Sequence, residues 1–372
     1  MLKQYKIRNY NFRLVFYVVT LTVIGILVIG SAKESVQSKQ ILGLFLGLIV
    51  MAIISMLDYS VILRFSFLYY FLNIGLLILV KLMGDNTNGS TRWIEIAGIR
   101  FQPSELSKIV IILFYAFFFM KYQEHLNSVK VLASSFILAG IPLFLIKEQP
   151  DLSTTIVTAL LFIALLFIAG LSYKIVLTVL AVSIPSFIIF ISLILQPDQK
   201  ILDPYQYKRI MAWLQPEKYA DAAYQQLNSK MAIGSGQLWG KGLNNSEITS
   251  VKNGNFISEP QTDFIFAIVG EELGFVGSVI VIALLFFIVL ECILMARKAK
   301  DLSGRLICCG MASLIGFQSF VNICVATGLM PNTGLTLPFV SYGLTSLVTL
   351  FMGIGFVLNV GLQPRKYGMG DT

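Results

Sequence analysis

Long apolar runs alternate with short polar segments along nearly the whole chain. Ten of them come close to the roughly 20 residues that a helix needs to cross a bilayer. They cover 13–31, 39–56, 62–83, 105–120, 131–147, 152–170, 174–195, 263–296, 304–328 and 341–360. The runs are continuous, with no period-two alternation, and this excludes a β-barrel. The pattern predicts an all-α polytopic membrane protein with ten transmembrane helices, residues 1–372 forming one domain. Pro142 and the Lys147-Glu-Gln-Pro-Asp151 turn are expected to break the fifth and sixth runs. The eighth is long enough to begin outside the hydrocarbon.

Basic residues in short loops set the orientation. Lys3, Lys6, Arg8 and Arg13 precede the first run, and no small-residue cleavage site follows it. That run therefore reads as a first span with a cytoplasmic N-terminus, not as a cleaved signal. Lys121, Lys130, Lys174, Arg297, Lys298, Lys300, Arg305, Arg365 and Lys366 then share the N-terminal side. Both termini are expected in the cytoplasm, with the large loop 197–262 between spans seven and eight outside. Three outer segments, 86–108, 197–262 and 328–343, are too decorated to be plain connectors and could roof one cavity.

Composition agrees with this picture and adds exclusions. The chain is 56% hydrophobic and 13% charged, with a mean hydropathy of +0.78, so it is not a soluble globular protein. Its net charge of +8 fits a basic cytoplasmic face and is no argument for nucleic acid. Cys292, Cys308, Cys309 and Cys324 show no metal-ligand spacing with the single histidine, His125, and read as packing residues.

Candidate chemistry collects on the outer side. Glu259 and Asp263 stand four apart where a polar segment gives way to an apolar run. If a helix begins near Ser258, with Gln261 completing a capping box, both carboxylates share one face. Carboxylates at that depth are costly unless paired, wet or working. Glu105 and Lys108, three apart, read either as an ion pair closing a helix end or as cavity-lining groups for an anionic headgroup. Arg92 beside Trp93 joins a phosphate-binding type to a membrane-anchoring one. Asp151 and Arg209 add charge near the same face. The glycine-rich stretch ending Gly240-Lys241-Gly242 lacks the hydroxyl of a nucleotide loop, leaving either a close approach to phosphate or a structural turn. His125 falls on the cytoplasmic side, so no Ser-His-Asp set can be assembled.

These motifs together resemble one family. Arg92-Trp93-Ile, Phe101-Gln102-Pro-Ser-Glu105-Leu-Ser-Lys108, Tyr205-Gln, Arg209, Ala232-Ile-Gly-Ser-Gly, Gly240-Lys-Gly, Thr262-Asp-Phe-Ile-Phe-Ala, Gly270-Glu-Glu-Leu-Gly274 and Pro331-Asn-Thr-Gly-Leu-Thr-Leu-Pro-Phe-Val-Ser341-Tyr-Gly343 are similar, in order, to the SEDS proteins RodA, FtsW and SpoVE. The short N-terminus favours a RodA-like member, whereas Gly334-Leu-Thr-Leu-Pro338 is closer to FtsW or SpoVE.

The resemblance implies a bacterial cytoplasmic-membrane peptidoglycan glycosyltransferase that polymerises lipid II on the outer face, for elongation or division. It implies Asp263 as the essential aspartate and Glu259 as the loop glutamate. Arg92, Trp93, Gln102, Glu105, Lys108, Asp151, Arg209, Lys241 and Ser341 become candidate substrate-binding residues. The expected partners are a class B penicillin-binding transpeptidase and other elongasome or divisome membrane proteins, with no nucleic acid. A divalent cation, magnesium or manganese, is the one cofactor such pyrophosphate chemistry calls for. The competing readings are a lipid II flippase and a non-catalytic scaffold for the transpeptidase. The sequence departs from the family where Gln261 replaces a histidine, where Leu344 replaces a glycine, and at Asn228.

Overall fold

A computed structural model of the chain describes residues 9–87, 90–96, 99–149, 151–194, 196, 204–244, 250, 254 and 256–363. Lys3, Lys6, Arg8, Pro150, Arg365, Lys366 and several stretches of the expected outer loop lie outside the described residues.

Every apolar run forms a helix. In chain order these are α1 (Phe12–Ala32), α2 (Glu34–Met56), the short α3 (Tyr59–Arg64), α4 (Ser66–Met83), α5 (Pro103–Lys121), α6 (Val129–Lys147), α7 (Leu152–Ile168) and α8 (Tyr173–Ile194). After α9 (Pro204–Leu214) and α10 (Ala220–Ser235), outside the apolar runs, come α11 (Ile265–Lys298), α12 (Leu302–Ala326) and α13 (Leu344–Leu362). Among the described residues eight helices are long and apolar enough to cross a membrane, and α7 is a shorter apolar helix of the same kind. The protein is a multi-pass α-helical membrane protein. Among the described residues the one departure from all-α is a small antiparallel meander of β1 (Asp85–Thr87), β2 (Ser90–Ile96) and β3 (Ile99–Phe101).

Short polar side chains start the helices where the apolar runs begin. Asn11 caps α1 through Leu14 N–H, Asp151 caps α7 through Thr154 N–H, and Asp301 caps α12 through Gly304 N–H at 2.7 Å. Pro103 opens α5, where its missing N–H costs nothing. Pro142, expected to break the fifth run, sits inside an unbroken α6. Neighbouring helices and local backbone adjustment make such prolines tolerable in a spanning helix.

Buried almost all round, α5 is the centre of the bundle and packs against α4, α7, α12 and α13. α2 lies closely along α13 because Gly43 and Gly47 leave room for Leu347 and Phe351. At Gly47 a Cβ would stand 2.6 Å from the Phe351 ring, so this contact admits nothing larger.

α11 is two helical segments joined at Gly274, whose φ of 67° and ψ of −162° are far from helical. In an unbroken helix the carbonyls of Glu271 and Glu272 would accept the N–H groups four residues on. Here they accept from Lys241 N–H (2.9 Å) and Gly242 N–H (3.0 Å). Phe275 and Val276 N–H donate instead to the carbonyls of Gln237 (2.8 Å) and Leu238 (3.1 Å). The loop thus supplies partners for both carbonyls and both amides of the two helix bonds that would join residues 271–275 and 272–276. Gly240, at φ +80°, lies so close that a Cβ would fall 2.2 Å from the Glu272 carbonyl oxygen.

Candidate active site

The segment leading into α11 differs from the sequence expectation. Residues 257–264 are bends and turns, and the helix begins only at Ile265. Glu259 has a φ of 53°, in the left-handed region, and its carbonyl accepts Thr262 N–H at 3.2 Å. No capping box forms, because the helix starts only at Ile265 and the Ser258 hydroxyl has another partner. Ser258 accepts a hydrogen bond from Gln225, and the Gln261 carbonyl accepts Tyr342 N–H at 2.9 Å. Asp263 therefore sits at the end of a turn braced from three sides.

The braces come from distant parts of the chain. Asn322, on α12, donates from Nδ2 to the Asp263 carbonyl at 2.8 Å and to the Leu335 carbonyl at 2.6 Å. Ser341 Oγ donates to the Thr262 carbonyl at 2.7 Å and accepts Leu337 N–H at 2.7 Å. Ser153, in the first turn of α7, donates to the Thr333 carbonyl. The 328–343 segment is thereby fastened over the turn that carries Asp263.

Around the Asp263 carboxylate the structure gathers charge from four elements. Burial pushes this carboxyl up to about 6, against the pull of the Arg209 and Arg92 guanidiniums, with Glu259 and Asp151 adding to the rise. Arg209 comes from α9, Arg92 from β2 and Asp151 from the α7 cap. Arg92 is aimed by a bond from Nε to the Gln149 carbonyl at 3.1 Å, and Arg209 by one from Nη1 to the Asn332 carbonyl at 3.4 Å. Gln102 donates to Asp151 Oδ2 at 3.3 Å. Gly334, at φ +77°, makes the floor: a Cβ there would lie 3.3 Å from Asp263 Oδ2 and 3.7 Å from Arg209 Nη1. A partly buried carboxylate with raised proton affinity, flanked by two guanidiniums, can take a proton from a hydroxyl beside a bound anion.

Other candidates stand apart from this cluster. Lys108 is 1% exposed, pairs with Glu105 Oε1 at 2.6 Å and donates to Gln318 Oε1 at 2.9 Å. Glu105 Oε2 accepts from Ser346 at 2.7 Å. The pair joins α5, α12 and α13 beneath the site and presents no free charge to it. Lys241 pairs with Glu271 at 3.1 Å beside the α11 break. Trp93 follows Arg92 on β2, so alternation places it on the strand's opposite face. Among the described residues no three His, Cys, Asp or Glu side chains come together as a metal site.

Asn322, Gln318 and Ser153 lie outside every sequence motif named above, and Gly334 lies inside one without being marked as a site residue. Gln318 and Asn322 carried a usable signal: two amides four apart on one face of an apolar helix, where polar groups are rare without a task.

The chain is similar to known proteins along nearly its full length. Residues 10–366 match the model of the FtsW/RodA/SpoVE family, described as cell cycle protein. The probable peptidoglycan glycosyltransferase FtsW of Geobacter sulfurreducens is 31% identical over 378 residues, covering 97% of each chain. The peptidoglycan glycosyltransferase MrdB of Escherichia coli is 34% identical over 344 residues, covering 91% of this chain and 90% of that one. Among solved structures, the rod shape determining protein RodA of Thermus thermophilus aligns with a TM-score of 0.68 at 28% identity, over 95% of this chain and 96% of that one. A chain of a peptidoglycan synthase complex that coordinates polymerization and crosslinking aligns with a TM-score of 0.77 at 29% identity, over 95% and 97%.

Proposed function

As the chain belongs to the FtsW/RodA/SpoVE family of cell cycle proteins, we infer that it is a peptidoglycan glycosyltransferase. Its substrate is lipid II, a disaccharide α-linked to a polyprenyl pyrophosphate, joined on the outer face of the cytoplasmic membrane. The observation that carries this reading is the Asp263 carboxylate, held at raised proton affinity between Arg209 and Arg92.

The reaction converts an α linkage into a β linkage, so one in-line displacement suffices. Asp263 takes the proton from the acceptor 4-hydroxyl as its oxygen attacks the anomeric carbon of the donor. The bond from that carbon to the pyrophosphate oxygen breaks, and the pyrophosphate leaves with the electron pair. Arg92 and Arg209 stabilise the charge that develops there. Pyrophosphate needs no protonation to depart, so no second acid is required. Glu259, exposed on the same turn, raises the proton affinity of Asp263 through like charge.

The similar chain in a synthase complex supports a crosslinking partner. We assign that role to a single-pass class B penicillin-binding protein.

The test is polymerisation of labelled lipid II by the purified chain. Wild-type protein should produce glycan strands and folded Asp263→Ala should not. Wild-type rates from folded Asp263→Ala would overturn the base assignment. Passage of lipid II across a vesicle membrane, with no joining, would overturn the enzyme reading in favour of a flippase.

A further inference from the structure

α10 and the turn after it expose an apolar ridge outside the spanning helices. Tyr224, Leu227 and Met231 recur at helical spacing and are exposed, while Ala223, Gln226, Ser229 and Ala232 are buried. The turn continues the ridge with Leu238 and Trp239, the latter 75% exposed.

Hydrogen bonds fix where this ridge lies. Gln226 donates to the Val325 carbonyl at 2.8 Å and Ser229 to the Ala326 carbonyl at 2.7 Å, at the last turn of α12. Beyond its C-terminus α10 runs into the residues bonded across Gly274 of α11. α10 is thus tied to the end of one span and, through the turn that follows it, to the break in another. The level of the break can be measured along α11. Phe275 stands 22 residues before Arg297, the first basic residue closing the apolar run. At 1.5 Å per residue this is about 33 Å, close to the roughly 30 Å of a hydrocarbon core. Phe275 is itself 64% exposed, and beyond it Val279, Ile280 and Phe286 present an apolar outer surface. Leu238, whose carbonyl accepts Val276 N–H, is continuous with that lipid-facing surface.

We propose that α10 and the 236–239 turn ride in the headgroup–acyl boundary of the leaflet on the site's side, with Tyr224, Leu227, Met231, Leu238 and Trp239 against lipid. Tyrosine and tryptophan are the side chains suited to that depth, apolar in body and polar at one edge. The bonds across Gly274 then tie the lipid-seated turn directly to α11. This inference rests on the membrane reading of the fold and is independent of the enzymatic one.

The test uses the full chain, without other proteins, in nanodiscs of phosphatidylcholine and phosphatidylglycerol brominated near the headgroup end of the acyl chains. Brominated lipid should quench wild-type tryptophan emission, and Trp239→Phe should remove a large part of that quenching. Tyr224→Trp in the Trp239→Phe background should restore it. The proposal is overturned if Trp239→Phe leaves lipid quenching unchanged and instead lowers quenching by aqueous acrylamide. It is equally overturned if the tryptophan introduced at position 224 answers only to acrylamide. Elution as a single folded species shows that each variant reports on the native arrangement.

Discussion

Asn322 holds the main chain of Asp263: its Nδ2 donates to the Asp263 carbonyl at 2.8 Å and, on its other side, to the Leu335 carbonyl at 2.6 Å. One amide on α12 thus fixes both the turn bearing the carboxylate and the segment lying over it. Asn322→Ala removes one buried and one partly buried bond, each worth about 1 kcal/mol net, and leaves carbonyls wanting partners. Displacement of a reacting group by about 1 Å costs on the order of 100-fold in rate. The variant should fold, lose about that much kcat on lipid II and keep KM within a few-fold. A fall in KM-dependent binding with kcat intact would assign Asn322 to substrate contact instead.

Asp263 makes the rate and the stability depend on pH in opposite senses. As a base it must be ionised, so polymerisation should rise with pH through about 6 and then level off. Between the ordinary 3.8 and about 6, the folded protein holds a proton that the unfolded chain has released. Stability therefore falls as pH rises through that window. Asp263→Asn, which carries no charge to bury, should raise the thermal midpoint at about pH 7 and lose that advantage below about pH 4. It should be inactive throughout. An unchanged midpoint at both pH values would contradict the burial cost.

The Glu105–Lys108 pair is a structural joint, and its loss should appear in stability. Lys108→Met leaves Glu105 buried without its cation and should cost about 3–5 kcal/mol. Glu105→Leu combined with Lys108→Met should recover much of that, since well-packed apolar replacements of buried pairs are often neutral. Denaturation midpoints in detergent decide it. A single variant as stable as wild type would show that the pair bears no load.

Glycine-to-alanine changes should sort by the space they enter. Gly274→Ala puts a methyl 2.3 Å from Gly240 N at a φ of 67°, and Gly240→Ala meets the Glu272 carbonyl. Both should yield little folded protein. Gly75→Ala on α4 meets nothing within 4 Å and should be neutral or gain up to about 1 kcal/mol from helix propensity. Yield and midpoint of the three variants make the comparison.

The spans were legible because each is a property of one continuous run, and local composition decides whether a run is apolar enough to be a helix. Asp263, Arg92, Arg209 and Asp151 were legible as costly charges near one face. Their convergence was not, since it depends on β2, α9 and the α7 cap meeting at the end of α11. The turn at 258–264 misled for a related reason. Ser258 and Gln261 carry a helix-start signature, but Gln225 takes the Ser258 hydroxyl and Tyr342 N–H holds the Gln261 main chain in a turn, both from far along the chain. The Glu105–Lys108 ion pair was one of two readings open in the sequence, whereas Glu271, the partner of Lys241, lies 30 residues away and nothing local pointed to it. Asn322 was hidden in an apolar helix whose polar minority drew no attention.

The bonds across Gly274 have a consequence for how this region opens. Lys241, Gly242, Phe275 and Val276 each donate to the opposite segment, so lifting the loop away breaks all four bonds together. Loop and helix are coupled: if the loop lifts while Gly274 stays non-helical, α11 keeps four unpaired backbone groups in its midst, and only straightening at Gly274 would pair them again. The amides of these four residues should therefore exchange with deuterium at one common rate, far slower than the exposure of Leu238 and Trp239 beside them would suggest.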